Sequence, residues 1–139
     1  MIVLDTNVLS AFMLESPDPR VLRWLDRNPR ESIWTTSITV FEIRYGLATM
    51  PAGKRRRGLE EAFERQVSVV LQNRVLDFDA AAAAEAAILA ASRKHRGRPI
   101  ETRDAQIAGI ARARRASIAT RDARDFEDLG VAILDPWKD

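Results

Sequence analysis

Short apolar runs alternate with longer segments of helical periodicity along the chain. Strand-like runs lie at Met1 to Leu4, Ser32 to Thr35, Arg74 to Phe78, Ser117 to Thr120 and Val131 to Leu134. Helical spacing of apolar residues covers Asn7 to Leu14, Pro19 to Arg27, Ile38 to Thr49, Lys54 to Val70, Ala80 to Lys94 and Arg103 to Arg115. The alternation predicts an α/β fold with a central, mostly parallel sheet of about five strands and helices on both faces.

Length and composition narrow the class of protein. A chain of 139 residues without a visible linker is expected to form a single domain, 1–139. Lys and Arg number 22 against 20 Asp and Glu, so the net charge of +2 only weakly favours a polyanionic partner. The absence of cysteine excludes disulfides and thiolate chemistry. Asp5 interrupts the first apolar run too early for a signal peptide or membrane span, so a cytoplasmic protein is expected.

Acidic residues follow two of the predicted strands. Asp5 ends the first run, and Asp122 stands two residues after Thr120, the end of the fourth. In an open α/β sheet, ligands bind beyond the carboxyl ends of the strands, so both acids are candidate site residues. Asp5 also suits a helix N-cap, as do Thr6 and Asn7, and this structural role stays open.

Two further acids lie within predicted helices. Glu42 shares a helical stripe with Ile38 and Tyr45, which places it on an apolar face, although a solvated surface position is the alternative. Asp104 lies in line with Ile107 on a helix that Thr102 is expected to cap. Glu101 precedes this helix, and its carboxylate suits an interaction with the positive N-terminal end of the helix dipole from outside the helix.

Convergence of Asp5, Glu42, Asp104 and Asp122 would require a compensating charge. Two carboxylates at ~4 Å repel by about 4 kcal/mol at an effective dielectric of ~20. Mg²⁺ or Mn²⁺ prefers such oxygen ligands, whereas zinc is disfavoured by the single His and absent Cys. The implied reaction is metal-dependent phosphodiester cleavage.

Other chemistry has weaker support. No GxSxG motif is present, and His95 is expected to be a solvated residue at a helix end. "GKRRRGLE" lacks the Lys and Ser or Thr that complete a P-loop. Asp125 is interpreted as a capping or surface residue.

Basic groups at Lys54 to Arg57, Arg93 to Arg98 and Arg112 to Arg115 are either solvated surface or contacts for a nucleic-acid backbone.

Nearly the whole chain resembles PIN-domain ribonucleases of the VapC toxin type, particularly the FitB-like group. Four ordered motifs carry the resemblance: "MIVLDTNVLS", "TTSITVFEIRYGL", "RPIETRDAQIAGIA" and "IATRDARDF". It implies a PIN-like fold and an endoribonuclease toxin. It also implies metal-ligand or catalytic roles for Asp5, Glu42, Asp104 and Asp122, with Asn7 and Thr120 as supporting polar positions.

The resemblance further implies Mg²⁺ or Mn²⁺ as cofactor, RNA as substrate and a homodimer. A cognate antitoxin would cover the acidic pocket, and operator DNA would be bound only through that antitoxin. The "ETRD" stretch departs from relatives, because Glu101 and Arg103 stand where small residues are common.

Two other functions stay open on the sequence. One is a PIN-like binding or regulatory module that acts with a DNA-binding partner and has no turnover. The other is a phosphatase with Asp5 as covalent nucleophile, although Asn7 occupies the position where such enzymes usually carry a second Asp.

Overall fold

The computed structural model describes residues 1–139 and contains one five-stranded sheet in which every strand pair is parallel. The strands are β1 (Ile2–Leu4), β2 (Ile33–Thr36), β3 (Val75–Leu76), β4 (Ser117–Ala119) and β5 (Ile133–Leu134), in the order β3-β2-β1-β4-β5. The helices are α1 (Thr6–Phe12), α2 (Pro19–Asp26), α3 (Ser37–Thr49), α4 (Lys54–Arg65), α5 (Ala80–His95) and α6 (Thr102–Arg114). The predicted α/β fold is confirmed.

Two hydrophobic cores lie on opposite faces of the sheet, because neighbouring residues of a strand point to opposite sides. Leu4 of β1 packs with residues of α1 to α4, including Val8 and Phe63. Val3, its neighbour, packs with residues of α5 and α6, including Leu89 and Ile107. The helices therefore cover both faces, as the alternation of elements predicts.

Small residues allow α5 and α6 to approach each other closely. Asp79 caps α5 by accepting a hydrogen bond from the backbone N–H of Ala82 at 2.9 Å, in agreement with the helix start that the sequence indicates. A Cβ on Gly109 of α6 would lie 2.5 Å from the Ala82 carbonyl oxygen and 2.7 Å from the Ala86 Cβ. This contact holds the helix that carries Asp104 against the alanine-rich helix.

Three local predictions are wrong. The segment predicted as one helix from Lys54 to Val70 is α-helical only to Arg65 and continues as a π-helical turn. Glu101, rather than Thr102, caps α6, because its carboxylate reaches the free N–H groups of the first turn. Arg93 belongs to an expected solvated basic group, yet it is only 6 % exposed and donates hydrogen bonds to three backbone carbonyls.

None of the helices combines the length and hydropathy needed to span a bilayer.

Candidate active site

The candidate site lies where the strand order reverses, between the carboxyl ends of β1 and β4. Asp5 follows β1 directly, and its backbone N–H donates to the carbonyl of Ala119 in β4 at 2.9 Å. Thr120 follows β4 at the same edge. In open α/β sheets this switch point forms a crevice, because the connections leave towards opposite faces.

Asp5 serves both as the cap of α1 and as the buried centre of the site. Its Oδ1 accepts from the backbone N–H of Thr6 at 2.8 Å, and its Oδ2 accepts from the Thr120 hydroxyl at 2.8 Å. The residue is 5 % exposed. Burial raises the pKa of Asp5, the charges of Glu42 and Asp122 add to this rise, and the two hydrogen bonds oppose it.

Asn7 connects Asp5 to Asp122. The Asn7 amide nitrogen lies 3.4 Å from Asp5 Oδ2 and 3.0 Å from Asp122 Oδ2, and it donates to both. The Asn7 Oδ1 accepts from the backbone N–H of Arg121 at 3.2 Å. Asp122 itself is exposed, and its backbone N–H donates to the Thr120 hydroxyl at 3.0 Å. One amide thus holds the two strand-end acids together.

Glu42 reaches the same crevice from α3. Its Oε1 accepts from the Thr6 hydroxyl at 3.0 Å, and its side chain is 24 % exposed. The Arg103 guanidinium lies 3.6 Å from its other oxygen. The predicted apolar stripe is wrong, because Tyr45 is 60 % exposed, and the contacts of Glu42 are polar.

Asp104 enters from the first turn of α6. Burial raises the pKa of Asp104 to about 7, with further contributions from the charges of Asp5, Glu101, Asp125 and Glu42. Asp125 is exposed, in agreement with its interpretation as a capping or surface residue. Its negative charge nevertheless contributes to the raised pKa of Asp104. Glu101 accepts from the backbone N–H groups of residues 103 and 104, so it fixes the orientation of this turn.

The structure therefore brings Asp5, Glu42 and Asp104 into one electrostatic cluster, with Asp122 joined through Asn7. No three His, Asp or Glu side chains are arranged to hold a metal ion as they stand, so the carboxylates would have to approach one another around a cation. The donors fit a hard divalent ion, because all are oxygens and the charges of neighbouring acids add to the effect of burial in raising the pKa of Asp104. His95, at the end of α5, is exposed as predicted, and no hydrogen bond joins it to the cluster.

Sequence reasoning missed the hydroxyls that support Glu42. Thr6 donates to Glu42 and also lies 3.2 Å from the Thr39 hydroxyl of α3. In the sequence Thr6 indicates only an N-cap, and no local signal indicates a partner on another helix. In the sequence, Arg103 indicates only a positive charge within "ETRD". Its contact with Glu42 is seen only in the structure.

The chain belongs to the PIN-domain family, since the family's sequence profile matches residues 2–132. It is 44 % identical over 138 residues to the "VapC ribonuclease Y4jK" of Sinorhizobium fredii (strain NBRC 101917 / NGR234), covering 99 % of both chains. It is 37 % identical over 139 residues to "Toxin FitB" of Neisseria gonorrhoeae (strain ATCC 700825 / FA 1090), covering 100 % of both. A solved structure of FitAB bound to an IR36 DNA fragment superposes with a TM-score of 0.89 and 36 % identity, covering 99 % of this chain and 96 % of that one.

Proposed function

We propose that the protein is a metal-dependent endoribonuclease that acts as the toxin of a toxin–antitoxin pair. The observation that carries this proposal is the acidic cluster at the switch point of the sheet, where burial, with further contributions from the like charges of the cluster, raises the pKa of Asp104 to about 7. Relatives named as a ribonuclease and as a toxin support the same conclusion.

The ion would be Mg²⁺, with Mn²⁺ as an alternative, and the residues that would hold it are Asp5, Glu42, Asp104 and Asp122. A divalent cation in such a site polarises phosphate oxygens and activates water for hydrolysis of a phosphodiester bond. The chain supplies no cysteine, and its one histidine shows no contact with the cluster, so the hydrolysis would depend on the carboxylates and their hydroxyl and amide supports.

The supporting residues keep the carboxylates in place. Thr120 and the N–H of Thr6 each hold one oxygen of Asp5, while the Thr6 hydroxyl holds Glu42. These contacts restrict the side chains of Asp5 and Glu42 individually, which reduces the ordering cost when the carboxylates draw together around a cation. Asn7 adds the same restraint between Asp5 and Asp122.

A matched pair of variants tests the proposal. Asp5→Asn keeps a good N-cap but removes a carboxylate from the site, and Asp79→Asn makes the same change at the cap of α5. With Mg²⁺ or Mn²⁺, wild type and Asp79→Asn should cut single-stranded RNA, whereas Asp5→Asn, or wild type with a chelator, should not. Full cleavage by Asp5→Asn would refute the proposal, and metal uptake without cleavage would favour the non-catalytic module.

We further infer a protein partner, an antitoxin that covers the acidic cluster, and a homodimer of this chain. The similarity to FitAB in complex with DNA supports binding of operator DNA through the antitoxin. Large apolar side chains exposed on the surface support protein contacts. They include Leu14, Phe41, Tyr45, Val69 and Ile88. Co-expression with the protein encoded by the adjacent reading frame should abolish the toxicity of this chain and the RNA cleavage.

A further inference from the structure

We propose that the cavity beside Asn7 binds a nucleobase of the RNA, next to the phosphate that is cleaved. This inference rests on the proposed function and adds a subsite to it. The cavity has a volume of about 500 Å³, and its lining includes Asn7, Ser10, Asp18, Arg121 and Trp137. Small-molecule sites commonly occupy ~300 to 1,000 Å³, so a base with its ribose fits this space.

Two planar groups line the cavity. The Arg121 guanidinium lies over the Trp137 ring, 4.9 Å from its centroid. The Trp137 backbone N–H donates to Asp135 at 2.9 Å, and its ring packs against the core that contains Leu4 and Val8, so its position is fixed. Bases stack on aromatic rings and on guanidinium planes, which makes this pair a stacking surface for RNA.

Asn7 makes the cavity continuous with the acidic cluster. It lines the cavity, and its amide nitrogen also lies 3.0 Å from Asp122 Oδ2 and 3.4 Å from Asp5 Oδ2. Arg121 lies between Thr120 and Asp122 in the chain, and its backbone N–H donates to Asn7 Oδ1. A base in the cavity would therefore belong to a nucleotide adjacent to the phosphate at the carboxylates.

The polar groups of the cavity suit a base better than a second phosphate. Asp18 presents a carboxylate, and hydrogen bonds from Arg20 lower the pKa of Asp18 to about 2, so it is ionised at neutral pH. Arg20 donates to both oxygens of this carboxylate, and the lone pairs that remain can accept the N–H donors on the edges of bases, which a phosphate lacks. The Ser10 side chain adds a hydroxyl that can donate or accept.

Binding to an abasic oligomer isolates the base contribution. Fluorescence anisotropy would compare a labelled mixed-sequence single-stranded RNA with an abasic ribose-phosphate oligomer of equal length, both in EDTA. Wild type should bind the RNA about 5- to 150-fold more tightly than the abasic oligomer, the range expected for stacking of one base. Trp137→Leu should lose most of this preference, and Trp137→Phe should retain it.

Two arginine variants separate stacking from charge. Arg121→Lys keeps the charge but loses the planar group, so the preference for bases should fall while binding of the abasic oligomer stays unchanged. Arg30→Gln removes one charge at the amino end of β2, where the Arg30 side chain forms only an exposed ion pair with Asp26, and it should behave as wild type. Equal binding of both oligomers by wild type would overturn the proposal. An unchanged base preference in both Trp137→Leu and Arg121→Lys would also overturn it.

Cleavage assays distinguish this inference from the proposed function. With Mg²⁺ or Mn²⁺, Trp137→Leu and Arg121→Lys should raise KM for RNA far more than they lower kcat. Cleavage by wild type with an unchanged KM in both variants would refute the base site alone. A base preference in binding without any cleavage by wild type would support the base site and refute the nuclease.

Discussion

Asp104→Asn should stabilise the metal-free protein at alkaline pH even though it removes a residue of the proposed site. In the folded protein the Asp104 carboxyl has a pKa of about 7, whereas its ordinary value is 3.8. The folded state therefore binds this proton more tightly than the unfolded state, and stability falls as the pH rises from about 4 to about 7. Above pH 7 the Asp104 carboxylate is ionised in the folded state, and the free energy of unfolding stays lower by the full cost of that charge.

The difference between 3.8 and about 7 corresponds to about 4 kcal/mol at ~1.36 kcal/mol per pKa unit. Because the side chain is only half-buried, solvent reduces both the desolvation cost and the repulsion from neighbouring charges, and we discount the total to about 1 to 2 kcal/mol. Asp104→Asn removes the charge and keeps a similar shape. At pH 8 the variant should therefore exceed wild type by about 1 to 2 kcal/mol in free energy of unfolding.

Urea denaturation in EDTA, followed by circular dichroism at pH 4, 6 and 8, measures this difference. The two proteins should have equal stability near pH 4 and diverge as the pH rises. Asp26→Asn, at an exposed carboxylate of α2 outside the cluster, should not reproduce the effect. An Asp104→Asn variant that is less stable than wild type at pH 8 would show that the carboxylate is not under electrostatic strain.

Two other substitutions test the packing and the support of the site. Gly109→Ala should lower the free energy of unfolding by about 1 to 3 kcal/mol, because the added Cβ would meet the Ala82 carbonyl oxygen at 2.5 Å. Gly46→Ala, where no atom lies within 4 Å, should be neutral or stabilise by up to about 1 kcal/mol when both variants are compared with wild type by urea denaturation. Thr6→Val removes the hydroxyl that holds Glu42 and should weaken Mn²⁺ binding by calorimetry about 10-fold, whereas Thr49→Val, at the end of α3, should not.

The strand-end acids could be located from the sequence because parallel strands place their carboxyl ends at one edge of the sheet. Asp5 and Asp122 follow β1 and β4, and these strands are neighbours in the sheet. The prediction that Asp104 lies in line with Ile107 also agrees with its half-buried position, because Ile107, Ala108 and Ala111, which follow it at helical spacing on α6, are all buried. Helical phase was sufficient there because this prediction depends only on residues of the same helix.

Contacts between distant elements could not be predicted in the same way. The phase of α3 placed Glu42 with Tyr45 on a buried stripe, but Tyr45 is exposed and the Thr6 hydroxyl determines the orientation of Glu42. Arg93 was indistinguishable from its solvated neighbours, because the carbonyls that it binds include those of Asp125 and Glu127, which lie far along the chain. Such partners follow from the packing of helices and loops, and no local pattern encodes them.

The central claim is that carboxylates from separate elements act together on one divalent cation. Calorimetric titration with Mn²⁺ at pH 7.5 tests it most directly in wild type, Asp5→Asn and Asp79→Asn. Wild type and Asp79→Asn should bind Mn²⁺ with equal affinity, and Asp5→Asn should bind it at least about 10-fold more weakly. No uptake by wild type, or equal uptake by Asp5→Asn, would contradict the claim.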